Sequence, residues 1–251
     1  MKKTKSKLKK KIDDSNNRRK LIKKTLFCTI VILFVFFSIY SINRARILRV
    51  EIVGLKYLNP IDVINYSSLS DFNNISLFRI PKKEIISRIE KNLRLKVDSI
   101  KISFPDVLVI KVTERDTLYL LESQYGIYEI TDEGYMLKEN VIYNYNVPYI
   151  TGLTINPTNL KVGNEYTRYL TTVLSNVKYK NIDVYNVLSE INAYGNDLIV
   201  YTRGYPVQVI LEKYVKAEKF VELAGILRTI NQQATKTYRI DFRFDEAITV
   251  N

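Results

Sequence analysis

An uninterrupted apolar run near the N-terminus is the strongest pattern in the sequence. Nineteen residues from Thr25 to Asn43 carry no charge. As a helix rising about 1.5 Å per residue they extend roughly 28 Å, close to the thickness of a bilayer's hydrocarbon core. Apolar positions surround the whole helix, as contact with lipid requires. The pattern predicts a transmembrane helix over residues 25–43.

Two other interpretations of this run are less favoured. A cleaved signal peptide usually has a shorter apolar core and a cleavage site between small residues. Here a basic region of twenty-four residues precedes the run, and Arg44, Ala45 and Arg46 follow it. A core helix of this length with no polar position is less favoured still.

The charges that flank the run predict its orientation. Twelve Lys or Arg and two acidic residues lie within residues 1–24, whereas only three Arg residues follow the run by position 49. Because segments rich in Lys and Arg stay in the cytoplasm, residues 1–24 are predicted to form a basic cytoplasmic tail and residues 44–251 to lie outside. The tail suits contact with anionic lipid, and docking of a cytoplasmic partner is the alternative.

Residues 44–116 open with a strand and two helices. Residues 48–53 alternate between apolar and polar positions and end at Gly54, which is typical of a strand that enters a turn. Asn59 before Pro60 predicts the start of a short helix, and Pro81 opens a second one. The apolar side of that second helix is Ile85, Ile86, Ile89 and Leu93.

A strand pair completes this region. Ile100, Ile102 and Phe104 alternate with polar residues and are predicted to pack against the second helix, Phe104 included. A turn at Pro105 leads into a return strand over residues 107–112. The order strand, helix, helix, strand, strand predicts two helices on one face of a three-stranded sheet.

Residues 117–251 are predicted to form a second α+β domain, a β-meander with two helices. A strand over residues 126–130 precedes a hairpin turn at 132–134, and Asn164 is suited to cap a helix. The remaining predicted elements are strands over 187–194, 197–202, 206–211 and 238–245, a helix over 214–231, and a weak continuation over 247–250.

The sequence offers little catalytic chemistry. It has no His, and its one Cys, Cys28, lies in the apolar run, which argues against zinc sites, Ser-His or Cys-His nucleophiles and disulfides. Acidic pairs such as 132/133 and 245/246 lie in turns or at a strand end, where adjacent side chains face opposite ways. We therefore predict no enzyme activity and no catalytic, metal or cofactor-binding residues.

Outside the tail, 27 basic and 24 acidic residues nearly balance, which argues against nucleic-acid binding.

The chain resembles a known family. The segments V-E-I-V-G-L-K-Y-L, S-L-F-R-I-P-K-K-E-I and V-D-S-I-K-I-S-F-P-D-V-L-V-I-K-V-T-E-R-D resemble the POTRA (polypeptide-transport-associated) domain of the bacterial cell-division family FtsQ/DivIB. The matching landmarks are Val50, Gly54, Phe78, Val97, Pro105, Val112, Glu114 and Arg115. Glu114 and Arg115 are interpreted as an ion-pair hinge between domains.

The resemblance continues through the second half of the chain. The segments G-I-Y-E-I-T-D-E-G-Y-M, V-P-Y-I-T-G-L and Y-R-I-D-F-R-F are similar to the family's hairpin, its Pro-Gly segment and its final strand. Glu212 and Phe242 depart from the family's usual residues, and no Trp follows. The resemblance implies an α+β protein with domains at 1–24 (basic tail), 25–43 (transmembrane helix), 44–116 (POTRA) and 117–251 (β-rich, partner-binding).

A division-site scaffold is the function that this resemblance implies. Such a protein sits in the cell membrane at the septum, without nucleic acid or small-molecule substrates, and recruits single-span coiled-coil proteins of the FtsB/DivIC and FtsL type. The alternative is a POTRA-bearing component of protein translocation or envelope assembly. Those components usually carry several POTRA units and a β-barrel, for which this sequence gives no signal. A regulatory or peptidoglycan-binding membrane protein is a weaker third possibility.

The last strand is the candidate partner site. Tyr238, Ile240, Phe242 and Phe244 alternate with charged residues, which fits either an ordinary half-buried strand or an edge strand that accepts a partner's strand. In FtsQ/DivIB proteins this strand receives the FtsB/DivIC-type partner, and the resemblance favours the edge strand. The residues implied are Tyr238, Arg239, Ile240, Asp241, Phe242, Arg243, Phe244, Asp245 and Ala247.

The charge asymmetry around the run leads to a test of orientation. A reporter that is active only outside the cytoplasm should be active when fused after Asn251, and inactive when fused after Lys20. A reporter that works only in the cytoplasm should give the opposite pattern. Cytoplasmic reporter activity at Asn251 would show that the orientation is reversed.

Overall fold

The chain folds as an α+β protein, which confirms the predicted class. A computed structural model describes residues 23–40, 45–77, 79–138, 141–232, 237–244 and 247–250. The helices are α1 (Lys23–Tyr40), α2 (Pro60–Tyr66), α3 (Lys82–Ile89), α4 (Glu165–Lys180), α5 (Ile182–Val187) and α6 (Ala217–Gln232), with a 3₁₀ turn at Leu69–Phe72.

Twelve strands form two sheets within the described residues. The first three strands are β1 (Arg49–Val53), β2 (Leu95–Ser103) and β3 (Val107–Glu114). The others are β4 (Thr117–Ser123), β5 (Gly126–Thr131), β6 (Met136–Leu137), β7 (Tyr149–Thr151), β8 (Leu188–Tyr194), β9 (Asp197–Thr202), β10 (Gln208–Glu212), β11 (Arg239–Asp241) and β12 (Ile248–Val250).

Helix α1 is the apolar run seen in the sequence. By length and composition it could cross a membrane, and none of it is buried against the rest of the protein. The predicted span of 25–43 extends past this helix, and residues 41–43 lie outside the described part of the chain. Most of the basic tail, residues 1–22, lies outside it as well.

The first sheet has the predicted two-layer arrangement. Its order is β1-β3-β2, with β1 parallel and β2 antiparallel to β3. Helices α2 and α3 bury Val63, Ile85 and Ile89 in one cluster with apolar residues of the strands. The Asn59 side chain accepts a hydrogen bond from the Ile61 N–H at 2.9 Å, which caps α2 as the sequence predicted.

Gly54 ends β1 in a conformation that only glycine adopts easily. Its φ is +98°, and a Cβ built on it would lie 2.1 Å from the carbonyl oxygen of Val112. The chain therefore turns directly against β3 at this position.

The predicted burial of the far end of β2 is wrong. Ile100 is buried, but Ile102 is 43% exposed and Phe104, in the turn after the strand, is 86% exposed. Helix α3 is eight residues long, roughly 12 Å, whereas a nine-residue strand extends roughly 30 Å. The helix is too short to cover the whole strand. Leu93 also lies beyond the end of α3 and is only half-buried.

The second sheet is mixed, with order β12-β11-β10-β9-β8-β7-β4-β5-β6. It contains three parallel pairs, β4–β7, β7–β8 and β10–β11, so it is more complex than a pure meander. Helices α4 and α6 bury Leu170, Leu174, Phe220 and Leu223 in its core. Helix α5 is an addition to the two helices that the sequence predicted.

Two separate clusters of buried apolar residues divide the described chain. One runs from Ile47 to Val112 and the other from Leu118 to Phe242. The clusters fall on either side of the predicted boundary at 116/117. The domain limits themselves stay a prediction.

A buried ion pair connects these two regions. Arg94 Nη2 lies 2.8 Å from Glu129 Oε1, and the two side chains are 0% and 2% exposed. Glu129 also accepts hydrogen bonds from the Tyr143 N–H and the Thr117 hydroxyl. The Arg94 guanidinium lies over the Tyr143 ring, 4.8 Å from its centre. A buried charge from the first region is thereby neutralised by a residue of the second.

Glu114 and Arg115 act separately, which corrects their interpretation as an ion pair. The Glu114 carboxylate accepts hydrogen bonds from the backbone N–H groups of residues 56, 57 and 58, at 2.9 to 3.1 Å. Arg115 Nη1 donates to the carbonyl oxygens of Leu93 and Leu95, and its Nε lies 3.1 Å from Glu133 Oε2. Arg115 therefore bridges the two regions, while Glu114 fixes the loop before α2.

Removal of Arg94 should destabilise the folded chain. Arg94→Met leaves the Glu129 carboxylate buried without its counter-charge, which typically costs about 3–5 kcal/mol of unfolding free energy. Urea unfolding of the full-length protein in detergent measures this loss. The double variant Arg94→Met/Glu129→Gln removes both charges and keeps an acceptor for Tyr143, so it should recover part of the stability.

Arg88 provides the matched control for this experiment. Its ion pairs with Asp71 and Glu84 lie at the surface, where ion pairs contribute little. Arg88→Met should therefore leave the unfolding midpoint almost unchanged. Equal effects of Arg88→Met and Arg94→Met would show that the junction does not depend on the buried pair.

Candidate partner-binding surface

The last two strands form one end of the nine-stranded sheet. β11 pairs in parallel with β10 and antiparallel with β12, so it has a neighbour on both sides. The interpretation of residues 238–244 as a free edge is therefore wrong in this fold. The outer edge belongs to β12, which pairs with no further strand among the described residues.

The four apolar residues predicted to share one face of the last strand differ in burial. Ile240 and Phe242 are 0% and 2% exposed and belong to the core beneath the sheet. Tyr238 and Phe244 are 65% and 62% exposed. The alternation fails because β11 ends at Asp241, so that residues 242–244 no longer follow the two-residue period of a strand.

The remaining candidate residues have three different environments. Arg239 is exposed, and Ala247 is half-buried against the core. Asp241 and Arg243 bind each other. Asp245 lies outside the described residues.

An ionic cluster stabilises the turn after β11. Arg243 Nη2 lies 2.6 Å from Asp241 Oδ2, and its Nη1 lies 3.5 Å from Asp197 Oδ2 at the start of β9. The side-chain hydrogen bonds from Arg243 lower the pKa of the Asp241 carboxyl below its ordinary value. Arg243 is thus only 38% exposed and already engaged in this turn.

Exposed apolar side chains lie on β12 and directly before and shortly after β11 in the chain. Tyr238 precedes β11, Phe244 follows it, and Ile248 of β12 is 57% exposed. Arg243 lies beside the Phe244 ring, 5.9 Å from its centre. These side chains could supply apolar contacts to a chain that pairs with β12.

The pairing pattern shows which backbone groups of β12 face outward. Gln208 donates to the Tyr238 carbonyl and Phe242 donates to the Ile210 carbonyl, so Ile240 and the residues that flank β11 direct their backbone groups toward β10. Residues 239 and 241 then face β12. Thr249 lies opposite Ile240, and in an antiparallel ladder such a pair directs its N–H and C=O groups away from each other. The Thr249 N–H therefore faces outward.

The opposite end of the sheet is partly covered. Met136 of β6 donates its N–H to the Leu160 carbonyl at 3.0 Å, and Val162 donates to the Gly134 carbonyl at 3.0 Å. Both Met136 and Leu137 are buried. Of the two ends, β12 is the more open to a further strand.

Metal chemistry has no site in the described part of the chain, because no group of three or more His, Cys, Asp or Glu there could hold an ion.

The surface at β12 combines outward backbone groups with exposed apolar side chains. This combination is suited to binding an extended peptide.

Comparison with known proteins identifies the first region. Residues 45–115 match the family model "POTRA domain, FtsQ-type". The cell division protein FtsQ of Geobacter sp. (strain M21) is 24% identical over 218 residues, which cover 83% of this chain and 78% of that protein. This chain is thus similar to FtsQ-type cell-division proteins over most of its length.

Solved structures that are similar to part of this chain include one of a bacterial cell-division protein. It is the major extracytoplasmic domain of the trans isomer of DivIB from Geobacillus stearothermophilus, with 17% identity and a TM-score of 0.35. The match covers 48% of this chain and 97% of that one.

The Geobacter relative is a cell-division protein, and the expectation that this chain is not an enzyme stays a prediction. The FtsQ-type POTRA match also favours division over the translocation alternative. The sequence pattern placed the free edge one strand too early, on β11, and the partner-site residues themselves stay a prediction. The only signal for β12 was the weak alternation over residues 247–250.

Proposed function

We propose that this protein is a single-span division-site scaffold that recruits other division proteins by accepting a partner's strand on the outer edge of β12. The position of β12 at the end of the nine-stranded sheet is the observation that carries this proposal. The expected partners are single-span coiled-coil proteins of the FtsB/DivIC type, paired with FtsL-type proteins.

Backbone pairing supplies the affinity in this mechanism. An extended peptide beside β12 would bond to the outward N–H and C=O groups of Thr249 and continue the sheet by one strand. Only three residues form β12, so this ladder is short. Side-chain contacts are therefore needed to strengthen binding and to select the partner.

Exposed residues next to β12 are suited to that selection. Tyr238, Phe244 and Ile248 offer apolar area, and Arg239 offers an exposed positive charge. Arg243 has a different role because it holds Asp241 and Asp197 together. It shapes the turn that carries Phe244, so its replacement would alter the surface itself.

The membrane anchor gives this surface its place in the cell. Helix α1 is long and apolar enough to span the bilayer, and the basic residues before it favour a cytoplasmic N-terminus. Residues 44–251 then lie outside the cytoplasm, in the division septum. There the β12 edge can meet the outer part of a single-span partner.

Thr249→Pro tests strand addition directly. Proline removes the outward N–H of Thr249 and adds a ring to that edge, while the inward hydrogen bonds of residues 248 and 250 remain. The Kd for the coiled-coil partner, measured with both full-length proteins in detergent, should rise at least about tenfold, which is 1.4 kcal/mol. Thr249→Val is the matched control, because it changes the side chain and keeps the N–H, and it should bind normally.

A shortened chain separates this mechanism from strand displacement. A chain that ends at Ala247 lacks β12 and exposes the edge of β11. If partners add to β12, this chain should lose binding while the fold and the Ile240 core remain. Binding that is retained or tighter would show that the partner replaces β12 on β11. Normal binding by Thr249→Pro would place the site elsewhere.

A further inference from the structure

The turn between β2 and β3 carries exposed apolar side chains that the fold does not use. Phe104 is 86% exposed, Ile102 is 43% exposed, and Leu48, just before β1, is 58% exposed. The three residues lie at one end of the first sheet. The Leu48 N–H donates to the Asp106 carbonyl at 2.9 Å, and Ile102 pairs with Leu108 directly after the turn.

This end of the sheet is the end nearest the membrane helix along the chain. β1 begins at Arg49, which pairs with Val107 at the first residue of β3. The turn therefore lies beside the start of β1, where the chain arrives from α1. The other end of β1, at Gly54, contacts Val112 at the far end of β3.

The connecting segment is too short to carry the turn far from the bilayer. Helix α1 is described to Tyr40, and the folded part resumes at Ala45, whose carbonyl accepts a hydrogen bond from Leu77. Five residues span at most about 18 Å. The turn of a hairpin anchored next to this segment lies within reach of the headgroup region on the same side.

The charges near the turn fit an anionic surface. Arg46, Arg49 and Lys101 are exposed around this end of the sheet, where the acidic residues are the exposed Glu51 on β1 and the half-buried Asp106 in the turn. Basic residues that flank exposed apolar groups attract anionic headgroups while the apolar groups enter the interface.

We propose that the β2–β3 turn, with Phe104 at its tip, rests in the headgroup region of the bilayer that α1 spans. The contact orients the first sheet relative to the membrane and so sets the direction in which the rest of the chain extends. The proposal requires that α1 spans the bilayer, but it does not depend on strand addition at β12.

The chain contains no Trp, so a single Trp reports on one position. The full-length Phe104→Trp variant is reconstituted in vesicles of phosphatidylethanolamine and phosphatidylglycerol, some carrying brominated acyl chains. Tyr194→Trp is the matched control, because Tyr194 is 73% exposed and borders the β8–β9 turn of the second sheet. Phe34→Trp, within α1, reports whether the helix is in the bilayer.

Bromolipid should quench the Phe104→Trp emission at least about twofold more than the Tyr194→Trp emission, with a shift to the blue. Adding Lys101→Glu to Phe104→Trp should reduce this quenching. Equal quenching of the 104 and 194 variants would overturn the proposal. So would a blue shift that persists in detergent and grows with protein concentration, because it indicates a second copy of the chain.

Two further readouts separate this proposal from others. If bromolipid leaves the Phe34→Trp variant unquenched, α1 is not in the bilayer and the proposal fails with it. Phe104→Ser should leave the affinity for the coiled-coil partner and the unfolding midpoint unchanged, since Phe104 is remote in the chain from β12 and outside the core. Loss of partner affinity in Phe104→Ser would assign the turn to protein binding and overturn the lipid contact.

Discussion

The buried pair of Arg94 and Glu129 is the interaction on which the arrangement of the two folded regions depends. Each charge lies almost fully out of water, where a lone charge is costly, and each is paired with a counter-charge in the other region. The rings of Tyr57 and Tyr143 and the contacts of Arg115 surround the same junction. A firm junction has a functional consequence, because it transmits the position of the membrane-anchored POTRA region to the sheet whose far end is β12.

The open edge of β12 is a liability in a protein that must not aggregate, and an advantage in one that must recruit a partner. Here the edge is short and borders a charged cluster, which limits pairing with unrelated strands. Because β12 is only three residues long, a specific partner also has to contact the exposed aromatic residues. A scaffold of this kind gains selectivity from side chains and affinity from the backbone.

Much of the fold could be predicted from the sequence, because its signals are local. The apolar run, the Asn59-Pro60 helix start, the turn at Gly54 and the period of α4 each depend on a few neighbouring residues. The errors arose where distant contacts decide. Phe104 was expected to be buried because the extent of α3 over the sheet is not visible in the alternation of β2. Arg94 and Glu129 stand among apolar residues in the sequence, which was a signal of burial, but their pairing depends on tertiary structure. The edge was assigned to β11 because residues 247–250 alternate only weakly.

Residue-specific amide exchange at Thr249 tests the central claim most directly. In the free protein the outward Thr249 N–H should exchange with solvent quickly, whereas the N–H of Ile248, which faces β11, should be protected. Saturation with the coiled-coil partner should slow exchange at Thr249 severalfold and change Ile248 little, as measured by NMR on the labelled protein. Unchanged exchange at Thr249, together with new protection on an edge of the first sheet, would contradict strand addition at β12.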